Sequence, residues 1–447
     1  MTAPARAEIR REVRGLRREQ ILLWASAVGL VALLVSLFSA GFFLYAAVVT
    51  AAVLGLAAFL PAASLMGLEV RRSLAATEIE LGQAVESRLV LHNRKGLPAP
   101  WLFWREAVDP GLDAEGVTCG FQTLGSERTL HTAFRLHSTR RGLFRVGPAV
   151  IEASDPFGLV KRYRVDPEVR FVTVLPRAVP LGQGWPLGHR PIHEIPRRRS
   201  PFEDPARFLG VRDYRPGDGL RRIHWRATAR TGILQVKLFE PAVLEGVLLA
   251  VEMGRGAWPR ATEETGSDPG VELAVTAAVS IADLVLAGGQ SVGLISNGGD
   301  AAERFPADWT GGSFRRYEDA LKDAEARRRM PAFRPLEVEP GRGGWQRDRL
   351  RTALARLTLA PGLTLPELLV AEAPRLPRSH VLLVITPDLG HELGGALASL
   401  KRSGFDVAVI WIQTAGPGTV ATSLLEGVPF YTVGDEADLE RMGAQKL

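Results

Sequence analysis

"ILLWASAVGLVALLVSLFSAGFFLYAAVVTAAVLGLAAFLPAASLMGL", Ile21–Leu68, holds no charged residue over 48 positions. As one helix it would run about 72 Å at 1.5 Å per residue, against a hydrocarbon core of about 30 Å. Two crossings of about 20 residues each fit instead, with a tight turn near Ser39-Ala40-Gly41. Ile21–Phe38 contains eleven Leu, Ile, Val or Phe. At roughly −0.3 to −0.6 kcal/mol each, they favour insertion by about 3–6 kcal/mol. The second span, Phe42 to about Met66, is richer in Ala, and Pro61 is placed to kink its end. A signal peptide, whose apolar region runs only about 7–15 residues, leaves the second span unexplained.

On the N-terminal side, residues 1–20 form a basic head with six Arg and three Glu, which supply +3 of the net charge of +6. Anionic lipid attracts such a segment, so the positive charge does not call for nucleic acid. Arg71-Arg72 follow the second span. Basic residues on both flanks place both ends of the hairpin, and everything after residue 70, on the cytoplasmic side. The chain has 447 residues, of which 46% are hydrophobic and 23% charged. That composition supports two or three folded domains and argues against disorder. The single cysteine, Cys119, excludes an internal disulfide and a thiolate metal cluster.

Beyond the hairpin, residues 69–180 read as strands. "ESRLVLHN", "HTAFRLHS", "LFRVGPAVIEA" and "VRFVTVLPR" are short runs bounded by "NRKG", "TRRG" and "DPFG". Such spacing predicts a small antiparallel sandwich. Asp155-Pro156-Phe157-Gly158 is a turn by composition, without evident chemistry. Residues 181–242 hold a Pro- and Gly-rich linker, with Arg197-Arg198-Arg199 as a basic loop, and then a dense polar unit. Residues 243–447 alternate strands such as "GVLLAVEM", "SVGLIS", "HVLLVITP" and "FDVAVIWIQ" with helices such as "GVELAVTAAVSIADLVLAGG", "GHELGGALASLKRSG" and "DEADLERM". Alternation of this kind predicts a doubly wound α/β domain, with ligands beyond the carboxyl ends of its strands.

The dense unit is "DYRPGDGLRRIHWRATARTG", Asp213–Gly232. Pro216-Gly217 fits a type II turn, and Asp218 then stands where it caps a helix. Leu220, Ile223 and Ala227 recur at i, i+3 and i+7, one buried face. Trp225 and Ala229 share another face, and Gly232 suits the helix end. "ILQVKLFEP" follows as a strand. Six arginines, at 212, 215, 221, 222, 226 and 230, surround Asp213 and Asp218. Arginine forks onto carboxylates, which suits an interdomain staple with Trp225 buried. Arg and Trp are equally frequent interface anchors, which suits partner docking. Too few aromatics are present for a nucleic-acid stacking platform.

"FLGVRDYRPGDGLRRIHWRATARTGILQVKLFEP", Phe208–Pro241, resembles the signature of the bacterial domain of unknown function 58 family. The fit covers Arg212, Tyr214, Pro216-Gly217-Asp218, Arg221, Ile223, Trp225, Ala229-Arg230 and Lys237. The two-span start, the segment Arg140–Leu159 and the α/β part agree with it. The resemblance implies a membrane-anchored protein with a von Willebrand factor A-like domain, often accompanied by a MoxR-type AAA+ ATPase and of unassigned activity. In that fold an Asp-x-Ser-x-Ser loop, with a Thr and an Asp from later loops, holds a metal through hard oxygen ligands suited to Mg²⁺. Here the loop reads Glu252-Met253-Gly254-Arg255-Gly256. The acid is longer, Gly254 and Gly256 replace both hydroxyls, and Arg255 adds a cation. Thr364 and Asp388 are candidates for the remaining ligands, although either equally suits a helix cap. Loss of the metal is the expectation.

Other constellations are weak. Cys119 has His131 and His137 downstream, but a buried structural thiol is the plainer reading. No phosphate loop is present. His189 and His193 lie in a Pro-containing loop without further ligands. The sequence therefore leads to a non-enzymatic assembly or interaction protein, anchored in the bacterial inner membrane by two spans, with cytoplasmic domains. It implies no cofactor, no resident metal and no nucleic acid. A metal-dependent ligand-binding module and a hydrolase using Cys119 are the alternatives.

Overall fold

A computed structural model describes residues 26–33, 40–166, 168–181, 203–215, 218–241, 246–258, 268–305, 313–319, 334–413 and 428–441. The chain divides into two compact units, Met1–Val174 with Ala302–Pro331, and Leu175–Ala301 with Ala332–Leu447.

The first unit begins with helical residues 26–33 and with helix α1, Ala40–Leu65. α1 is apolar on every side, and Phe42, Leu44, Tyr45, Val48, Leu56 and Phe59 all point outward, exposed. An all-apolar helix satisfies its backbone internally, as a hydrocarbon surrounding demands. Two described helices are long and apolar enough to cross a membrane. One of them, Pro269–Ala287, is 78% buried over its apolar window and belongs to the α/β core. α1 is the other. Ile21–Ala25 and residues 34–39 of the first expected span lie outside the described residues.

Ten strands follow: β1 Leu68–Leu74, β2 Glu78–Glu80, β3 Ala84–Asn93, β4 Ala99–Val108, β5 Asp113–Gly116, β6 Cys119–Leu124, β7 Thr129–His137, β8 Gly142–Ser154, β9 Lys161–Val165 and β10 Arg170–Leu175. Among the described residues they form two sheets, with the first ordered β1-β3-β7-β5. In the second, β8 pairs with β10 through 142–146, and with β4 and β9 through 149–154. β3 shows why the sheets face each other: Val85, Ser87, Leu89, Leu91 and Asn93 alternate inward. Val70, Leu89 and Leu91 of one sheet meet Trp104, Ala149 and Ile151 of the other. The antiparallel sandwich is as expected.

Its charges are not. Arg72 was assigned above to the membrane flank, but it is fully buried against Glu106, with Nη2 donating to Oε2 at 2.9 Å. Arg72 Nη1 also donates to the Glu168 carbonyl, and the Arg72 N–H donates to Glu168 Oε2 at 3.0 Å. Gly147 leaves the space: its φ is +92°, and a Cβ there would fall 2.7 Å from Arg72 Cζ. Only Arg71 remains outside, beside Glu69 at 3.4 Å.

The domain boundaries also shift. Residues 302–331, expected in the α/β domain, fall with the sandwich. The short strand Ser313–Phe314 pairs with β9, and Phe314 and Tyr317 pack on Val150, Tyr163 and Val165. Conversely, Ala178 and Leu181 pack with the α/β core, and Val179 N–H donates to Ser280 Oγ at 2.8 Å. The sandwich thus ends near 174 rather than 180.

The second unit opens with an antiparallel pair, β11 Glu203–Asp213 and β12 Gln235–Pro241, which flanks helix α2, Trp225–Thr231. Its main sheet contains β13 Gly246–Val251, β14 Ser291–Ser296, β15 Leu336–Gly341, β16 His380–Thr386, β17 Asp406–Ile412 and β18 Phe430–Val433. The spatial order is β15-β14-β13-β16-β17-β18, with β15 antiparallel and the rest parallel. β13, β14 and β16 are buried along their whole length, as strands covered on both faces must be. Helices α3 Pro269–Ala287, α4 Gly344–Arg356 and α7 Glu436–Arg441 contribute to one core. Helices α5 Leu365–Glu372 and α6 His391–Arg402 contribute to the other. The strand order reverses between β13 and β16, the crevice where doubly wound sheets take their ligands.

Candidate functional site

Two places hold the residues singled out by the sequence. The first is the signature unit. Its hairpin is in register from Gly210↔Leu238 to Asp213↔Gln235, with Lys237 opposite Val211. Tyr214 N–H donates to the Leu234 carbonyl at 2.8 Å, and Gln235 Nε2 donates to Asp213 Oδ1 at 2.5 Å. Arg212 forks onto Asp218, with Nη1 to Oδ2 and Nη2 to Oδ1 both at 2.7 Å. Arg215 N–H adds a third bond to Asp218 Oδ2 at 2.9 Å. The Arg212 hydrogen bonds and then the Arg215 amide hold the Asp218 carboxyl down at about 2, from an ordinary 3.8.

Asp218 therefore does not cap a helix, as expected above, but closes the turn onto Arg212. The helix cap is His224, whose Nδ1 accepts from Ala227 N–H at 3.0 Å. Its proton in the neutral form accordingly sits on Nε2. Nor do Leu220, Ile223 and Ala227 share one buried face. A 3-10 turn, Leu220–Arg222, ends before α2 begins, and Ile223 bridges to Val236 as a strand residue. Ile223 is buried and Leu220 exposed. Gly232 does end the helix, with φ +74°. Gly217 lies outside the described residues, and Arg221 falls within the 3-10 turn.

Trp225 is 68% exposed, against the burial that a staple requires. None of the residues of α2 is buried. Leu220, Ile233, Leu234 and Val211 of the same unit are also exposed, as are Arg215, Arg226 and Arg230. The hydrogen bonds described here join residues of the unit itself, and its exposed side chains include both apolar and cationic ones.

The second place is the crevice at the carboxyl ends of β13, β14 and β16. Glu252, just after β13, is 5% exposed. Its Oε1 accepts from Asn297 Nδ2 at 2.6 Å and from Gly254 N–H at 2.7 Å, and the Leu365 amide donates as well. Burial pushes this carboxyl above the usual range and Asp388 adds to the shift, while the three donors oppose it. Asn297, which the sequence did not single out, also accepts from Met253 N–H at 2.7 Å and donates to the Leu363 carbonyl at 3.0 Å. Thr364 caps α5 in a capping box with Glu367. Asp388 does not cap α6; Gly390 holds that position, and Asp388 Oδ1 accepts from its N–H at 3.0 Å. A Cβ at Gly254 would meet Glu252 Oε1 at 2.7 Å, whereas Gly256 faces open space. Glu252 thus occupies space that a side chain at 254 would need. Arg255 is exposed, with its N–H on the Ala360 carbonyl at 3.0 Å.

Cys119 is exposed on β6, not buried as expected, and the structure does not pair it with a base. His131 and His137 lie on β7 in the other sheet. His189, His193 and Arg197–Arg199 fall outside the described residues. Among the described residues, no group of three or more His, Cys, Asp or Glu is arranged to hold a metal ion.

These features define a mixed α/β protein that joins an apolar helix of membrane-spanning length to a β-sandwich and a doubly wound sheet. Residues 210–333 match the family described as "Protein of unknown function DUF58", which supports the resemblance carried by Phe208–Pro241. The chain matches no curated protein. Among solved structures, the CARDB domain of a Pyrococcus furiosus protein is 16% identical, with 24% of this chain and 94% of that one covered and a TM-score of 0.18. A FixG-related protein from Vibrio parahaemolyticus is 6% identical, with 25% and 98% covered and a TM-score of 0.18. Salmonella alpha-2-macroglobulin is 12% identical, with 28% and 9% covered and a TM-score of 0.19. Scores this low support no shared fold.

Proposed function

We propose that this is a non-enzymatic, membrane-anchored interaction protein whose signature unit is its docking face. The observation that carries this reading is the exposure of Trp225 within a unit whose own hydrogen bonds leave its apolar side chains outside. Exposed Trp and Arg within one unit match the composition of interface hot spots. α1 serves as the anchor, as one arm of a two-span hairpin, and the domains face the cytoplasm. The sheet order, with one antiparallel edge strand, is compatible with a von Willebrand factor A-like domain. The family resemblance makes a MoxR-type AAA+ ATPase the first partner to test. Crosslinking capture from native membranes should retain one dominant partner with the parent protein and lose it with Trp225→Ala at unchanged melting. Equal capture by both proteins would sink the docking role.

The alternative is a metal-dependent ligand-binding module. It is favoured only by the gathering of Glu252, Thr364 and Asp388 around one crevice. The hydrogen bonds already aimed at Glu252 speak against it, because they occupy the lone pairs that a cation would use.

A further inference from the structure

The strand pairings of the sandwich gather several segments at one end. β1 starts there at Leu68, beside Asn93 at the end of β3, and His92 pairs with Thr129 at the start of β7. In the second sheet, Ala99 pairs with Leu124, Leu102 with Ala153, and Ser154 with Lys161. The turns 94–98, 125–128 and 155–160 are therefore neighbours at this end. The chain leaves α1 at the same end, since only Met66 and Gly67 separate α1 from β1.

That joint is stitched. Lys95 Nζ, from the first turn, donates to the carbonyls of Ala63 and Ser64 in the last turn of α1. Arg164 Nη1 donates to the carbonyls of Leu65 and Leu68 at 3.1 and 2.6 Å. Arg94 N–H donates to the Gly67 carbonyl at 3.1 Å. The carbonyls of Ala63, Ser64 and Leu65 are among those that a helix end leaves open, and Lys95 and Arg164 bring their cations to the negative end of the dipole. The end of α1 is thus held within hydrogen-bond reach of the sandwich turns.

The tips of those turns are apolar. Met66 is 69%, Leu97 64% and Phe157 63% exposed, and Trp101 lies partly exposed at a bulge with φ +51°. Phe157 is presented by a built turn. Asp155 is buried, its carboxylate accepts from the N–H groups of Phe157 and Val160, and Gly158 takes φ +69°. Of the nearby charges, Arg94 is engaged with Glu69 at 2.6 Å, Lys161 with Glu152 at 2.7 Å and Lys95 with the helix end, while the 125–128 turn adds one exposed charge of each sign, Glu127 and Arg128. A partner for this end must be apolar at its surface and must lie where α1 terminates.

We infer that this end of the sandwich rests on the bilayer, with Leu97, Phe157 and Trp101 seated in the interfacial layer around the exit of α1. The inference relies on α1 spanning the membrane. Aromatic and aliphatic side chains at that depth bury about 5–10 Å into the headgroup boundary. Because Arg94, Lys95 and Lys161 are engaged and Glu127 and Arg128 offset each other in sign, the contact is apolar, and raised salt leaves it in place.

The test uses the full chain in phosphatidylcholine nanodiscs on a Cys119→Ser background. Single cysteines are placed by Leu97→Cys, Phe157→Cys, Leu54→Cys within α1, and Leu81→Cys. Leu81 lies at the opposite end, where Gly82 N–H meets the Ser138 carbonyl. Each is labelled with an environment-sensitive fluorophore, and quenching by nitroxide-bearing lipid is read. Positions 97, 157 and 54 should each lose more than about half of their emission, at low and high salt alike, while position 81 keeps its own. Quenching at 54 with none at 97 and 157 overturns the inference and leaves the span standing. No quenching at 54 overturns the span, and the inference with it.

Discussion

Replacing Arg72 by Met removes the one cation among the described residues that is hydrogen-bonded to Glu106, whose side chain is 0% exposed. Burial already drives the Glu106 carboxyl upward, and the Arg72 charge and hydrogen bonds oppose that drive. Without Arg72, the carboxylate must take up a proton or remain as an unpaired charge in the core. Breaking such a pair costs about 3–5 kcal/mol. Domains of this kind hold about 5–15 kcal/mol in all, so Arg72→Met should lower the melting temperature by roughly 10–20 °C. Replacing both partners is different, because two apolar side chains of similar volume leave no orphaned charge. Arg72→Met with Glu106→Leu should therefore regain much of the loss. Gly147→Ala should resemble the single change, since its Cβ would fall 2.7 Å from Arg72 Cζ at a φ of +92°. Thermal unfolding of the purified full-length protein in detergent, followed by circular dichroism, reads all four proteins. The reasoning fails if the double variant is no more stable than Arg72→Met, or if Arg72→Met melts with the parent.

At Trp225, 68% exposed, truncation to Ala should leave melting within about 1 kcal/mol of the parent, whereas Ile223→Ala at a buried site should cost about 2–5 kcal/mol; unfolding curves separate the two. Gly254→Ser alone should destabilise by about 1–3 kcal/mol through overpacking against Glu252, and adding Glu252→Asp should restore stability. Calorimetry should show no saturable Mg²⁺ binding by the parent, and Glu252→Asp with Gly254→Ser and Gly256→Ser should recover some; tight binding by the parent refutes this reading of the crevice. The Asp218 carboxyl, held at about 2 against an ordinary 3.8, stabilises the signature turn fully above pH 4. That contribution fades as pH falls through 2, an acid response that Asp218→Asn should abolish in NMR spectra of the turn. Reporter fusions at residue 75 and at the C-terminus should both report the cytoplasm, and a periplasmic signal from either overturns the orientation.

Where one periodicity ran unbroken, the sequence was legible. The uncharged stretch before Leu68 contains α1, and the apolar runs around Val247, Val292, Val381 and Val407 became covered strands. β15 escaped notice because an edge strand such as "LEVEPG" needs no apolar alternation. α4, "GWQRDRLRTALAR", was hidden by its charges, since only Gln346, Leu350, Leu354 and Ala355 turn inward. Within the signature, helical spacing misled at Leu220 because a 3-10 turn and a bridge residue, Ile223, interrupt the helix before Trp225. Asp218 was read as a cap because capping is a local rule. The fork from Arg212 depends on a hairpin that only tertiary structure reveals. Asn297 offered no signal at all: one amide in a loop gains its role only when β13 and β14 lie side by side.

The return of residues 302–331 to the sandwich after β13 and β14 have been made has a consequence for biosynthesis. The chain passes from one unit to the other at 174/175, 301/302 and 331/332, so the sandwich is not a contiguous stretch of polypeptide. Its last strand, Ser313–Phe314, leaves the ribosome well after β10. At about 5–20 residues per second, the interval from residue 174 to residue 331 lasts roughly 8–30 s. During that interval the edge of β9 and the Tyr163 ring stand uncovered, and the nascent α/β sheet holds only its first two strands. A fragment ending near 174 should carry the same open edge permanently and self-associate, while gene fusions or exchanges that treat either unit as a separable cassette leave both incomplete.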